Sequence, residues 1–579
     1  MADPRTSLEP RFEAALRAAF GEEYAKTDPV LHRSDRADFQ ADVAMGLAKK
    51  VGKPPRDVAR LIVEHLDMKD LCEKVEVAGP GFINLTLSPE LLAREVGVIL
   101  GDEQAGLTPA AAPETVVIDY SAPNVAKEMH VGHIRSTVIG DSLSRVLETL
   151  GHRVIRQNHL GDWGTQFGML IEQLLDIGEE AALASSMSDL DAFYKQAREK
   201  FDGEPAFAER ARQRVVLLQG GDAPTLARWR LLTDASRTYF AAVYEKLGVK
   251  LRDEDICGES FYNPLLPGVV TELEQKGLAV ESDGAMCVFP AGFTTREGSP
   301  LPLIVRKRDG GFGYAATDLA AIRERTQTRK ATRILYVIGA PQQQHLAMVF
   351  AVAKAAGWLA EPARAEHVAF GSILGADKKP FKTREGGTVK LAALLDEAVS
   401  RAALAVAEKN PALDEAARAV VARQIGIGAI KYVDLSSDRV KDYVFDWDRM
   451  LAFEGNTAPY IQYVHARVRS IFRRADAADV TASASAALLL REPAERALAL
   501  ELLGFGGAVH SVAESLQPHR LCTYLFAVAT RFNTFYDQCP VLKAEDVEVR
   551  RSRLALSGVT ARVLAKGLDL LGIEAPEQM

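Results

Sequence analysis

Cysteine is scarce in this chain. Cys72, Cys257, Cys287, Cys522 and Cys539 are spread through 579 residues with no CxxC pair among them, which speaks against a disulfide framework or a zinc ribbon and fits a reducing, cytoplasmic setting. Long apolar runs are lacking too. Nothing approaches the ~20 apolar residues of a spanning helix, and the opening MADPRTSLEP has neither the basic start nor the apolar centre of a signal peptide. The expectation is a soluble protein with no membrane attachment. Positive charge is not in excess either: 70 Lys and Arg stand against 78 Asp and Glu, net −8. Any nucleic acid would have to meet a local basic surface, because no overall field attracts it. What is present is apolar material, 47% of the residues, enough for two to four domains, since one core rarely grows past roughly 250–300 residues.

Three regions follow from the pattern. Residues 1–108 hold helical stretches such as RFEAALRAAF and RDVARLIVEHL, then the strand-like GFINLTL behind a Gly-Pro-Gly break, which suggests a small α+β domain. GDEQAGLTPAAAPE reads as a linker. From 109 to 455 the spacing predicts a Rossmann-like α/β domain. TVVIDY is an apolar β-branched run, IRSTVIGDSLSRVLETLG a helix ending at Gly151, and HRVIRQNHL a returning strand, together a βαβ unit of a parallel sheet. Residues 169–250 turn helical and charge-rich, as an insertion would, before sheet-like runs resume at LPLIVRKRDGGFGYAATDLAAI, RILYVIGA and HVAFGSIL. Residues 456–579 read as an all-α bundle.

His130 and His133 fall where the first strand of that unit gives way to its helix, around Gly132. Two histidines three apart can bind a metal, fill a core or grip phosphate. A metal needs further ligands, and no HExxH pattern accompanies the pair, so no metal site is expected. Helix N-termini favour anions, and glycine lets a ligand approach the backbone.

The stretch SAPNVAKEMHVGHIRSTVIGDSLSRVLETLGHRVIRQNHLGDWGTQFG resembles the signature region of class I aminoacyl-tRNA synthetases, specifically the arginyl enzymes. The likeness continues through GESFYNPLLPG, GYAATDLAAI, KKPFKTREGGTVKL and the closing GLDLLGIEAPEQM. It implies that His130 and His133 hold ATP, with Gly132 under the nucleotide. The second class I signature, usually KMSKS, is matched by Lys379-Pro380-Phe381-Lys382-Thr383, which departs from it in the middle and at the end while keeping Lys382. Lys127, just before the histidines, is implied to share in neutralising pyrophosphate. Magnesium would accompany the ATP, and no prosthetic group is expected.

Arginine calls for planar acceptors, because a guanidinium is a rigid fork of donors that a carboxylate meets in bidentate fashion. Tyr314 and Asp318 are four apart, one face of a helix. The resemblance assigns both to the arginine pocket, together with Glu259 and Gln342, and gives the amino acid's backbone end to Ala122, Pro123 and Asn124. Residues 456–579 carry 14 Lys and Arg against 13 Asp and Glu, so the basic side is local. In PYIQYVHARVRSIFRRA, arginines including Arg467 interleave with Tyr460, Tyr463 and Phe472, a mixture that suits single-stranded RNA loops and equally an amphipathic core helix. The resemblance implies an anticodon-binding bundle, and an N-terminal domain whose Phe82 and Asn84 contact the tRNA elbow. The implied reaction is ATP-dependent charging of tRNA(Arg) with L-arginine by a monomer, with tRNA bound before the adenylate forms.

Overall fold

The computed structural model describes residues 4–34, 36–178, 190–381 and 389–579. Its centre is a four-stranded parallel sheet of β5 (Thr115–Asp119), β6 (Arg153–Gln157), β10 (Arg333–Tyr336) and β11 (Arg364–His367), in the order β11-β10-β5-β6. Both faces are covered. Val116 and Ile118 of β5 join one apolar cluster and the intervening Val117 another, as the two-residue period of a strand between two layers requires. The chain leaves β5, runs through the helix Val131–Thr149 and returns as β6 on one side, while β10 pairs on the other. The order therefore reverses beside β5, and the crevice outside the carboxyl ends of such strands is where ligands bind in open α/β sheets.

One arginine ties those ends together. Arg325, fully buried on the helix Tyr314–Gln327, reaches Asp119 Oδ2 at 2.6 Å and Gln157 Oε1 at 2.6 Å, and its guanidinium lies 4.9 Å from the Tyr336 ring centroid. These are the last residues of β5, β6 and β10.

The long run LPLIVRKRDGGFGYAATDLAAI departs from the expected sheet. Only Leu303–Arg306 is a strand, β9, and it lies in a separate antiparallel sheet with β7 (Ala279–Ser282) and β8 (Ala285–Val288). From Tyr314 the backbone is helical. Alanines at 315, 316, 320 and 321 favour the helix and pack it closely. In the N-terminal part, β1 (Leu31–Arg33), β2 (Phe39–Ala41), β3 (Cys72–Ala78) and β4 (Phe82–Leu87) form an antiparallel sheet ordered β1-β2-β4-β3. It docks on the C-terminal helices through Asp38, which accepts from Leu87 N and from Arg496 of the helix Pro493–Leu503. Among the described residues, no helix is long and apolar enough to cross a membrane.

Candidate functional site

His130 is the N-cap of the helix Val131–Thr149, and the two histidines cap each other. The Gly132 N–H donates to His130 Nδ1 (3.0 Å) and the His130 N–H to His133 Nδ1 (3.1 Å), with ring centroids 4.0 Å apart. Since both Nδ1 atoms accept, each ring proton resides on Nε2. Burial lowers the pKa of both. His133 is brought down to about 4, with His130 opposing its charge as well. The turn thus holds two neutral imidazoles with Nε2–H donors at the positive end of a helix. Gly132 is required sterically, because a Cβ there would lie 2.7 Å from His130 Cε1.

The loop before the turn is strained. Ser121, Ala122 and Ala126 have φ of 73°, 49° and 60°, a left-handed conformation that non-glycine residues hold only when their surroundings impose it. Ser121 N donates to Ser136 Oγ (2.9 Å), Ala122 N to Asn158 Oδ1 (3.0 Å) and Ala126 N to Ser236 Oγ (2.9 Å). Ser121 Oγ meets the Tyr244 hydroxyl at 2.8 Å, which also accepts from Asn158 Nδ2. Ser236 and Tyr244 belong to the helix Ala223–Leu247. The helical insertion is therefore the back wall of the site. It also supplies Tyr194, over whose ring Lys127 Nζ sits at 4.2 Å, and Asp191, which accepts from Glu128 N.

Asn124 is exposed and bridges to Gly161, one residue before Asp162. Asp162 is buried and accepts both the N–H and the hydroxyl of Ser260. A Cβ at Gly258 would fall 2.4 Å from its Oδ2, so glycine lets the Glu259 turn close on it. Burial pushes the Glu259 carboxyl up to about 8, with further contributions from Asp162 and Asp318. Among the described residues no cation pairs with Glu259, whose carboxyl sits in an acidic cluster with Asp162 and Asp318. Asp318 lies one helical turn from Tyr314 and is 2.6 Å from His345 Nε2. Tyr314 is 74% exposed, and Gln342 is exposed in the turn Ala340–Gln342. Sequence reasoning did not single out Asp162, Asn158, Ser236, Tyr244 or His345. Of these, Asn158 and Asp162 lie within the quoted signature stretch and His345 three residues after Gln342, while nothing marked Ser236 or Tyr244.

Lys379 lies in a tight turn in which Gly375 N bonds to Lys379 O. Lys382, Thr383, Gly386 and Gly387 lie outside the described residues. The chain beyond that loop is fixed to the histidine turn: Val131 N donates to Val389 O, Leu391 N to Met129 O, and Lys390 pairs with Glu128.

In the bundle, Asn533 joins Tyr460 and Arg467, and the Arg467 guanidinium lies over the Tyr463 and Tyr536 rings. Arg469 and Arg473 instead hold the C-terminal Glu577. Phe82 is half-buried. Asn84 is 3% exposed, its Oδ1 lacking a partner among the described residues.

Three family models match: the class I (R) tRNA synthetase catalytic domain over residues 95–447, the DALR anticodon-binding domain over 461–579, and the arginyl tRNA synthetase N-terminal domain over 6–87. The chain belongs to the arginyl-tRNA synthetase family. An arginine–tRNA ligase of Thermobifida fusca is 59% identical across the whole of both chains, and one of Synechococcus elongatus is 50% identical, again across both. Among solved structures, the arginyl-tRNA synthetase of Plasmodium falciparum superposes with a TM-score of 0.84 at 27% identity, covering 99% of each chain, and that of Thermus thermophilus with 0.81 at 26%, covering 99% and 100%. The class I fold of the family is the fold described above.

Proposed function

We propose that the chain is an arginine–tRNA ligase in which the slot of Glu259, Tyr314, Asp318 and Gln342 takes the arginine guanidinium while the histidine turn takes ATP. The reading rests on one observation: an acidic cluster whose Glu259 has no cationic partner among the described residues, linked through Asn124, Gly161 and Asp162 with a helix N-terminus bearing two neutral Nε2–H donors. Ala122, Pro123 and Asn124 meet the amino acid's backbone end. An arginine carboxylate oxygen attacks the α-phosphorus, the bond to the bridging oxygen breaks and pyrophosphate leaves. A terminal adenosine hydroxyl of tRNA, the 2′ one by class I likeness, then attacks the carbonyl carbon and AMP leaves.

No residue is acylated in either step, so the enzyme acts by positioning and electrostatics. His130 and His133 donate to phosphate oxygens, with Gly132 beneath the nucleotide. Lys127, Lys379 and Lys382 supply the positive charge that neutral imidazoles lack. Magnesium arriving on the triphosphate adds to that charge when bound. Residues 1–108, 109–455 and 456–579 divide the work into elbow contact, chemistry and anticodon contact, with Phe82 and Asn84 in the first part and Tyr460 and Arg467 in the last. We take the enzyme as a cytoplasmic monomer, and its five buried free cysteines suit a reducing compartment.

Arginine-dependent ATP/pyrophosphate exchange, run with and without tRNA on the wild type and on Asp318→Asn, tests the proposal. The variant should lose arginine activation by about a hundredfold or more while keeping its KM for ATP, as removal of a charged hydrogen-bond acceptor predicts. Unchanged arginine kinetics would reject the slot, and equal exchange in both conditions would reject obligatory prior binding of tRNA.

A further inference from the structure

Asp318 has one hydrogen-bonding partner among the described residues, His345, whose Nε2 lies 2.6 Å from Oδ2. His345 is the third residue of the helix Gln343–Ala355. The chain leading into that helix is tied down by Ala340 N donating to Phe370 O and by a bridge between Gly339 and Phe370. The imidazole thus comes from a fixed element packed beside the helix that carries Asp318. An aspartate's terminal torsion is broad and roughly two-fold, so a carboxylate held at neither oxygen turns freely. A guanidinium fork binds well only when both acceptors lie in its plane.

We propose that His345 is a positioning residue for the slot: by donating to one lone pair of Asp318 Oδ2 it sets the carboxylate plane, in which both oxygens keep acceptor sites for the substrate's guanidinium. The inference rests on the arginine-slot reading above. The His345 and Asp318 side chains are partly open, 31% and 22% exposed, so solvent screening keeps the pair's contribution to folding modest. What the contact does determine is direction. Glu259 feels the Asp318 charge, so the carboxylate that His345 holds lies near Glu259.

The test uses the full-length enzyme with tRNA present, comparing His345→Ala, His345→Gln, Asp318→Asn and the double variant His345→Ala/Asp318→Asn by pyrophosphate exchange and thermal melting. His345→Ala should raise the arginine KM about ten- to a hundredfold, the range for losing a hydrogen bond to a charged group, with the KM for ATP and the melting temperature unchanged. His345→Gln, whose amide still donates, should recover most of the loss. The double variant should be no worse than Asp318→Asn, because the histidine acts only through that carboxylate. If Asp318→Asn raises the arginine KM and His345→Ala does not, or if the two losses add, the positioning role is overturned. If neither changes the KM, the slot reading fails and this inference with it.

Discussion

Arginine binding should release a proton from Glu259. Burial, with Asp162 and Asp318 nearby, pushes this carboxyl up to about 8, so in the empty slot it is mostly protonated at neutral pH. A guanidinium is held by the ionised form, and bidentate pairing then draws the pKa down. The sign follows directly. Below the empty-site pKa, each unit of falling pH raises the arginine KM about tenfold, or about 1.4 kcal/mol. Between pH 8 and pH 6 the rise is roughly fiftyfold, about 2.3 kcal/mol, because half the sites are already protonated at pH 8, and the curve flattens above about pH 9. The measurement is arginine KM by pyrophosphate exchange from pH 6 to 9 at saturating ATP and tRNA. Glu259→Gln should give a weak KM that no longer varies over this range. A wild-type KM flat from pH 6 to 8, or a slope that survives in Glu259→Gln, would refute the argument.

Two further outcomes rest on other groups. Arg325→Met leaves Asp119 buried without its cation and should cost about 3–5 kcal/mol of stability, read by denaturant unfolding; adding Asp119→Asn should restore part of it. Adenylate formation at saturating arginine should not fall with the midpoint of an ordinary histidine, because His133 charges only near 4 and burial lowers His130 as well; a fall centred near the ordinary histidine value of about 6.5 would contradict the neutral-donor role.

The parts of the fold that were legible in the sequence are those that local pattern determines. β5, the helix Val131–Thr149 and β6 are contiguous, each with its own period, so the βαβ unit and the histidine turn at its carboxyl edge could be placed without tertiary information. The run over residues 303–322 reads as sheet-like although Tyr314 and Asp318 already suit one helix face, because its strand is four residues long and its alanine-rich helix presents apolar residues on most sides. Most of the supporting cast was not legible. Tyr244 reaches Ser121 across 123 residues and His345 reaches Asp318 across 27, with no motif binding either pair. The strained backbone was hidden for a related reason. Ser121, Ala122 and Ala126 adopt left-handed conformations that a sequence usually announces with glycine. Here serine and alanine are held there by hydrogen bonds that their backbone N–H groups donate to Ser136, Asn158 and Ser236. Local preference therefore fails between the proposed slot and the histidine turn, and distant parts of the chain supply the constraint. The insertion, which by pattern only interrupts the sheet, is accordingly what gives the site its shape.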